Sequence, residues 1–188
     1  MRIVKLQMQF SMDGYVAGPN NEMDWMQMNW DDELKKYVGD LTRPVDCILL
    51  GRKLAEGFVP AWTSQDQNPE TANEFTHKMV YARKLVFSRS LQELPWPHTE
   101  LVKEGDLKEV VTKLKEEKGG DIIAYGGVGF VSGLIQDGLV DEYYMFINPA
   151  SVGDGKTPFK GINKNNFRLT EAKKFDCGVA LLKYEAAR

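Results

Sequence analysis

Residues 121–138 read DIIAYGGVGFVSGLIQDG, and this segment carries the signals of a strand, a turn and a helix in succession. The run 122–125 is short and apolar, as is typical of a strand buried on both faces. Three glycines follow within four residues, and apolar residues then recur at helical spacing as far as Gly138, which suits a C-terminal cap. Because glycine has no Cβ, a ligand can approach the N–H groups of this turn, where a helix N-terminus favours an anion.

The alternative is that these glycines only make a tight strand-to-helix turn, and a lone Gly-Gly-x-Gly favours that interpretation. The spacing also differs from the dinucleotide fingerprint G-x-G-x-x-G, since Ser132 stands in the place of the third glycine. The segment therefore does not predict an ordinary Rossmann domain, and its function depends on which other motifs lie near it.

Composition excludes several classes of function. The chain has 188 residues, of which 43% are hydrophobic and 27% charged, and this suits a single domain, 1–188, with one core. A net charge of −3 offers no basic surface for nucleic acid. Residues 1–10 alternate as a strand does, so they predict no signal peptide, and no apolar run approaches the length of a membrane span.

The cysteines and histidines indicate neither a disulfide nor a metal site. Cys47 and Cys177 match no zinc or redox spacing, and His77 and His98 lie in no ligand pattern. We expect free thiols, a reducing cytoplasm and no metal.

Two further strand ends carry cations. The apolar run 45–50 leads into Gly51, Arg52 and Lys53 at the start of a helix, and the short strand 84–87 ends in Ser88, Arg89 and Ser90. Cations are unfavourable at a helix N-terminus, so their presence favours a bound anion. A solvated surface turn is the alternative.

The segment between the first strand and the first helix mixes turn residues with large apolar ones. Residues 11–21 are rich in turn signals, and Met23 and Trp25 follow them. We expect Met23 in the core, whereas Trp25 suits a core and a ligand equally well. The acids at 31–33 fall where they cap a helix, and a carboxylate there is also suited to receive the amidine group of a substrate.

Strands alternate with helices along the chain until two strands, at 167–173 and 179–185, indicate a terminal hairpin. This order predicts an α/β protein, a three-layer α/β/α sandwich with a mixed, mostly parallel sheet that ends in an antiparallel hairpin. Ligands of such sheets bind where the carboxyl ends of the strands meet helix N-termini.

Six motifs occur in an order that spans nearly the whole chain. They are SMDGYVAG at 11–18, MDW at 23–25, LGRK at 50–53, VFSRSL at 86–91, YGGVG at 125–129 and VDE at 140–142. Together they resemble the dihydrofolate reductase fold, and more closely the reductase domain of bacterial riboflavin biosynthesis, the RibD C-terminal domain type, in its small stand-alone form.

The resemblance implies an NADPH site. It assigns the pyrophosphate or the 2′-phosphate to Gly51, Arg52 and Lys53, and the 2′-phosphate and adenine side to Ser88 and Arg89. It assigns the pyrophosphate and nicotinamide to Gly126, Gly127, Val128, Gly129, Phe130 and Val131. It also implies a cis peptide bond between Gly126 and Gly127. Arginine near a ribose 2′-phosphate separates NADP from NAD use, so NADPH is expected over NADH.

On the substrate side, the resemblance places Asp13 near the reacting centre, with Asp32 as a second candidate for the catalytic carboxylate. Trp25 and Asp24 are expected at the wall of the substrate pocket. Folate reductases have Met-Pro-Trp where this chain has Met-Asp-Trp, and the spacer before the acids at 31–33 is longer here.

The expected reaction is hydride transfer from NADPH to a C=N or C=O bond of a small pterin-like or ribosylamino-pyrimidine-like heterocycle. An NADP-binding module without robust catalysis, acting as a sensor or through a partner, is one alternative, and a plain α/β scaffold that binds no nucleotide is another. A homodimer is expected from the resemblance and from two apolar, aromatic regions, the strand at 143–147 and the C-terminal hairpin.

Overall fold

The computed structural model describes residues 1–103 and 105–187. In chain order, its elements are β1 (Val4–Ser11), α1 (Asp32–Thr42), β2 (Val45–Gly51), α2 (Arg52–Gln67), α3 (Glu74–Tyr81), β3 (Arg83–Phe87), β4 (Thr99–Val102), α4 (Leu107–Glu116), β5 (Asp121–Tyr125), α5 (Val128–Gln136), β6 (Glu142–Asn148), β7 (Phe167–Lys174) and β8 (Ala180–Ala186).

The strands form one sheet in the order β4-β3-β2-β5-β1-β6-β8-β7. The first six strands of that order run parallel, whereas β8 lies antiparallel to β6 and β7 antiparallel to β8. The predicted fold class, a mixed and mostly parallel sheet with a terminal antiparallel hairpin, is confirmed.

Helices cover both faces of the sheet. One face packs against α4 and α5, in a core that includes Val4, Leu6, Met8 and Phe10 of β1. The other face has two separate apolar clusters, one beneath α1 and one beneath α2 and α3. Because side chains alternate along a strand, the polar residues of β1 lie on this second face, between the two clusters.

Helix α2 is longer than expected. The polar sequence 60–71, which is broken by Pro69, predicts a loop, but α2 continues through Pro60 to Gln67. Proline removes one backbone hydrogen bond. Aromatic packing holds the continuation in place, since Trp62 contacts Phe58 and Phe75 at ring distances of 6.0 and 5.2 Å.

Two further expectations differ from the structure. Met23 is 48% exposed and not part of the core, because its segment lies outside the helical layers that cover the sheet. Strand β4 was not expected, and it forms by parallel pairing with β3. Within the described part of the chain, no helix is long and apolar enough to cross a membrane.

Candidate cofactor and substrate site

Three of the sequence motifs lie side by side at the carboxyl edge of the sheet. Gly51 at the end of β2 is in register with Phe87 at the end of β3. Leu50, one residue earlier, is in register with Tyr125 at the end of β5. The two cationic turns and the glycine turn are therefore neighbours.

Two helix N-termini meet at this edge without a side-chain cap. Asp31, Asn73 and Asp106 cap α1, α3 and α4 with their side chains. By contrast, α2 begins at Gly51 and α5 at Gly127, and among the described residues no side chain caps either one. First-turn N–H groups without an internal partner, together with the helix dipole, favour an anion at this position.

Glycine allows these two helix starts to approach each other. A Cβ on Gly51 would lie 3.0 Å from the Cβ of Phe130, and one on Gly127 would lie 4.0 Å from the Cα of Gly51. Gly127 has a φ of +87°, which favours glycine. The Gly126–Gly127 peptide is trans, so the expected cis bond is wrong for this structure; the left-handed Gly127 turns the chain instead.

Gly129 differs from its neighbours because nothing in the protein requires a glycine there. Apart from its chain neighbours and the backbone of its own helix, no atom of the described chain lies within 4 Å of where its Cβ would be, and the residue is exposed. A bound molecule that approaches the backbone is a physical reason for glycine at this position.

A cavity of about 330 Å³ joins the second cationic turn to the start of α5. The Phe87 and Phe130 rings lie 5.0 Å apart at this point. The lining residues come from the ends of β3 and β4 and from α4 and α5: Phe87, Ser88, Arg89, Val102, Lys103, Gly105, Leu107, Gly129 and Phe130. Sequence analysis missed Lys103 and Gly105. The signal in the sequence is a lysine directly after the apolar pair 101–102, with a glycine two residues later.

The cations of the site differ in how far the protein neutralises them. Arg52 donates to Glu56 Oε1 at 2.6 Å, and Lys103 donates to Gln92 Oε1 at 2.9 Å. In the described ranges, the exposed side chains of Lys53 and Arg89 have no ion pair or hydrogen bond. Lys53 and Arg89 are therefore available to pair with an anionic ligand.

Ser88 and Val131 have structural contacts. Ser88 is buried, and its Oγ accepts from the Leu91 N–H at 3.1 Å, which folds the turn that presents Arg89. Val131 is fully buried in the core, and its N–H donates to the Gly127 carbonyl at 3.0 Å. Val131 therefore has no polar group left for a ligand.

Asp13 is held by hydrogen bonds at the end of β1. It accepts from Ser11 Oγ at 2.6 Å, from the Gly153 N–H at 2.7 Å and from the Val152 N–H at 3.1 Å. The Ser11 bond first, and then the Gly153 N–H, lower the pKa of Asp13 to about 2. Asp13 is therefore a carboxylate at neutral pH, and it ties the 152–153 loop to the end of β1.

The remaining expected substrate residues lie in the segment before α1. Trp25 is half-buried, and its Nε1 donates to the Glu22 carbonyl at 3.2 Å, while the neighbouring Asp24 is exposed. The Asp32 side chain is entirely exposed, 3.5 Å from Lys35 Nζ. The structure therefore leaves Asp32 in solvent.

Asp31, and not Asp32, holds the start of α1 at the carboxyl edge. One oxygen of Asp31 accepts from the Leu34 N–H at 2.7 Å and the other from the Cys177 N–H at 2.8 Å in the β7–β8 turn. These bonds, that of Leu34 foremost, lower the pKa of Asp31. Among the described residues, no group of three or more His, Cys, Asp or Glu side chains is arranged to hold a metal ion.

Comparisons with known proteins agree on the family and the fold. The sequence matches the RibD C-terminal domain family over residues 2–181. It is 30% identical over 187 residues to the uncharacterized protein YyaP of Bacillus subtilis (strain 168), covering 97% of this chain and 94% of that protein.

Two solved structures share the fold at low identity. A putative riboflavin biosynthesis protein from Shewanella sp. PV-4 aligns with a TM-score of 0.73 and 19% identity over 99% of both chains. A diaminohydroxyphosphoribosylaminopyrimidine deaminase/5-amino-6-(5-phosphoribosylamino)uracil reductase from Thermotoga maritima aligns with a TM-score of 0.72 and 18% identity, over 99% of this chain and 57% of that one. By sequence match and by fold, this chain belongs to the RibD C-terminal domain family.

Proposed function

We propose that the protein is an NADPH-dependent reductase that transfers hydride to a small pterin-like or ribosylamino-pyrimidine-like heterocycle. One observation carries the proposal: the uncapped starts of α2 and α5 meet beside two cations that the protein leaves unpaired, within the described residues. Backbone N–H groups and free cations together suit a ligand with several phosphate groups.

The residues present fit this cofactor. Gly51, Gly127 and Gly129, with the first-turn N–H groups that follow them, suit the pyrophosphate. Arg89 and Ser88 line the cavity of about 330 Å³ and suit the 2′-phosphate and the adenine side. Arg52 and Lys53 lie at the start of α2 beside the pyrophosphate position. Lys103 lines the same cavity as Arg89, and we assign it to the 2′-phosphate side with that residue.

The bound cofactor supplies the hydride, and the chain supplies position and exclusion of water. Asp13 acts as a positioning residue, because its oxygens hold the 152–153 loop over the end of β1. Trp25 walls the substrate side, with Asp24 beside it. Since Asp13 remains ionised at neutral pH, the reduced nitrogen or oxygen takes its proton from water. Asp32 stays outside the proposed site because its side chain lies in solvent.

The second candidate function is an NADP-binding module without robust catalysis. The engagement of Asp13 with the protein's own loop favours it, because this carboxylate then has less capacity for substrate. The two functions share the cofactor site and differ in turnover. Steady oxidation of NADPH in the presence of a panel of pterins and aminopyrimidines distinguishes them.

The direct test of the cofactor site is the Arg89→Ala variant. A charge-assisted hydrogen bond to phosphate is worth about 1.5–3 kcal/mol, so we expect NADPH to bind roughly 10- to 100-fold more weakly, with little change for NADH. Titration of cofactor fluorescence measures both dissociation constants. Arg43→Ala, which removes an exposed arginine at the far end of α1, is the matched control. Equal NADPH affinities for Arg89→Ala and the native protein would contradict the assignment.

We also propose a homodimer that uses the hairpin side of the sheet. A groove of about 410 Å³ there is lined largely by aromatic and apolar side chains, including Tyr143, Phe167 and Tyr184. Leu169 of the edge strand β7 is 50% exposed beside it. Sedimentation velocity at micromolar concentration is expected to give a dimer for the native chain and a monomer for Tyr184→Arg.

A further inference from the structure

Strand β1 places a polar stripe on the second face of the sheet. The stripe consists of Lys5, Gln7, Gln9 and Ser11, and it runs between the cluster under α1 and the cluster under α2 and α3. It leads from the amino edge of the sheet to the carboxyl edge, where Asp13 and Trp25 follow. Buried polar groups of this kind are nearly always hydrogen-bonded.

Three members of the stripe have partners within the protein. Lys5 Nζ lies 2.7 Å from Asp121 Oδ2 and donates to the Leu41 carbonyl. Gln9 Oε1 accepts from Asn148 Nδ2 at 2.9 Å. Ser11 Oγ donates to Asp13. These contacts account for the polarity at positions 5, 9 and 11.

Gln7 is the exception. The residue is 9% exposed, and its Oε1 is enclosed without any hydrogen-bond partner among the described residues. Nor does its Nε2 donate to any residue of the described chain. An enclosed carbonyl without a donor costs stability, and an apolar side chain of the same shape avoids that cost. The fold alone gives no reason for an amide at this position.

Gln7 has an aromatic neighbour on each adjacent strand. Gln7 is in register with Tyr125 on one side and with Tyr144 on the other, so the three side chains share one face. Both tyrosine hydroxyls are directed elsewhere, Tyr125 to Met79 Sδ at 3.9 Å and Tyr144 to Glu142 Oε2 at 2.7 Å. Tyr125 directly precedes Gly126, so Gln7 lies beside the start of the glycine turn.

We infer that Gln7 is a specificity-determining residue whose carboxamide pairs with a lactam edge of the substrate. Its Oε1 accepts from a ring N–H, and its Nε2 donates to the adjacent ring carbonyl, as two amides pair. The inference rests on the proposed function, because it concerns the substrate that the reductase would take. If Gln7 pairs in this way, the ring of the substrate must carry an unsubstituted N–H next to a C=O.

The test compares 6-aminouracil with its 1,3-dimethyl derivative, which keeps the ring and the exocyclic amino group and lacks both ring N–H donors. Calorimetric titration is done with and without saturating NADPH. We expect the native protein to prefer the unmethylated ring by about tenfold or more, which is the discrimination of one buried hydrogen bond. Gln7→Met keeps the length of the side chain and is expected to reduce this preference to about one, with the NADPH affinity unchanged.

Gln136→Met, at an exposed position at the end of α5, is the matched control and is expected to keep the preference. A purely structural Gln7 that only encloses a water predicts a changed melting temperature and an unchanged preference in Gln7→Met. That result overturns the inference, and so does a native protein that binds both rings equally or neither ring. If the preference is present but NADPH does not bind, the proposed reductase function fails and the role of Gln7 stands.

Discussion

At the scale of single residues, Gly127 and Gly129 are glycines for different reasons. Gly127 has a φ of +87°, so the backbone itself favours glycine there. Gly129 lies in the first turn of α5 with open space around its Cβ position. A substitution at 129 therefore separates the requirements of a ligand from those of the fold.

We expect Gly129→Ala to raise the free energy of unfolding by about 0.5–1 kcal/mol, because alanine restricts the unfolded chain and favours the helix. We expect the same change to weaken NADPH binding, since the added methyl group occupies the approach to the backbone. Thermal unfolding and cofactor titration measure the two effects. Gly39→Ala in α1, which also has open space at Cβ, is expected to stabilise the protein without altering NADPH affinity. Unchanged NADPH affinity in Gly129→Ala would argue against a ligand at this turn.

Asp13 illustrates how contacts change the role expected of a residue. Its hydrogen bonds lower the pKa of Asp13 from its ordinary value of 3.8 to about 2, so their contribution to stability is fully present above pH 3.8 and is lost as the pH falls through about 2. We expect hydrogen exchange at the Val152 and Gly153 amides to be slow at neutral pH and to accelerate in Asp13→Asn. Asp154→Asn, in the same loop, is the control, because Asp154 bonds only the adjacent Gly155 N–H. Equal acceleration in both variants would show that Asp13 is not the anchor.

At the scale of elements, the junction of α3 and β3 contains a buried cation. Lys84 is fully buried, and its Nζ donates to the Val80 and Ala82 carbonyls at 2.6 and 2.8 Å, at the C-terminal end of α3. Burial lowers the pKa of Lys84 from 10.5 to about 8. The carbonyls offset only part of the cost of burying this charge.

The stability of the protein is therefore expected to rise between pH 8 and 10.5 through Lys84. In that window the unfolded chain binds a proton that the folded protein has released, so the free energy of unfolding increases with pH, by up to about 3 kcal/mol. Urea unfolding of the native protein and of Lys84→Met across this range measures the effect as a difference in pH slope. Lys35→Met, at an exposed position, is expected to keep the native slope. Parallel slopes for the native chain and Lys84→Met would refute the assignment.

At the scale of the whole molecule, the proposed cofactor contacts elements that are far apart in the chain. The ends of β2, β3 and β5 come from residues 51, 87 and 125 and lie side by side only in the folded sheet. A ligand that requires all three positions binds the native state and not the unfolded chain.

We therefore expect NADPH at 100 times its dissociation constant to raise the free energy of unfolding by about 2.7 kcal/mol. Differential scanning calorimetry at several cofactor concentrations measures the rise in melting temperature, and NADH at equal concentration is expected to give a smaller one. An unchanged melting temperature at every NADPH concentration would rule out a cofactor site on the folded protein.

Local pattern was sufficient for the layered fold, the parallel sheet, the terminal hairpin and the strand-end motifs. Strand and helix periodicities, and glycines or cations directly after apolar runs, depend only on near neighbours in the chain. The same reasoning was wrong for residues 60–67 and Met23. Whether Pro60 ends α2 depends on Trp62 packing against Phe75, and whether Met23 is buried depends on what covers its segment.

Tertiary structure decided which polar groups of the candidate site are already hydrogen-bonded within the protein and which can still bind a ligand. Asp13 accepts hydrogen bonds from the N–H groups of Val152 and Gly153. Gln7 is in register with Tyr125 and Tyr144. Both sets of contacts join residues more than a hundred positions apart. Short-range periodicity carries no information about such pairings. Burial and hydrogen bonding are properties of the folded chain. They depend on which distant groups exclude water from a side chain, and on whether those groups form the hydrogen bonds that the water made.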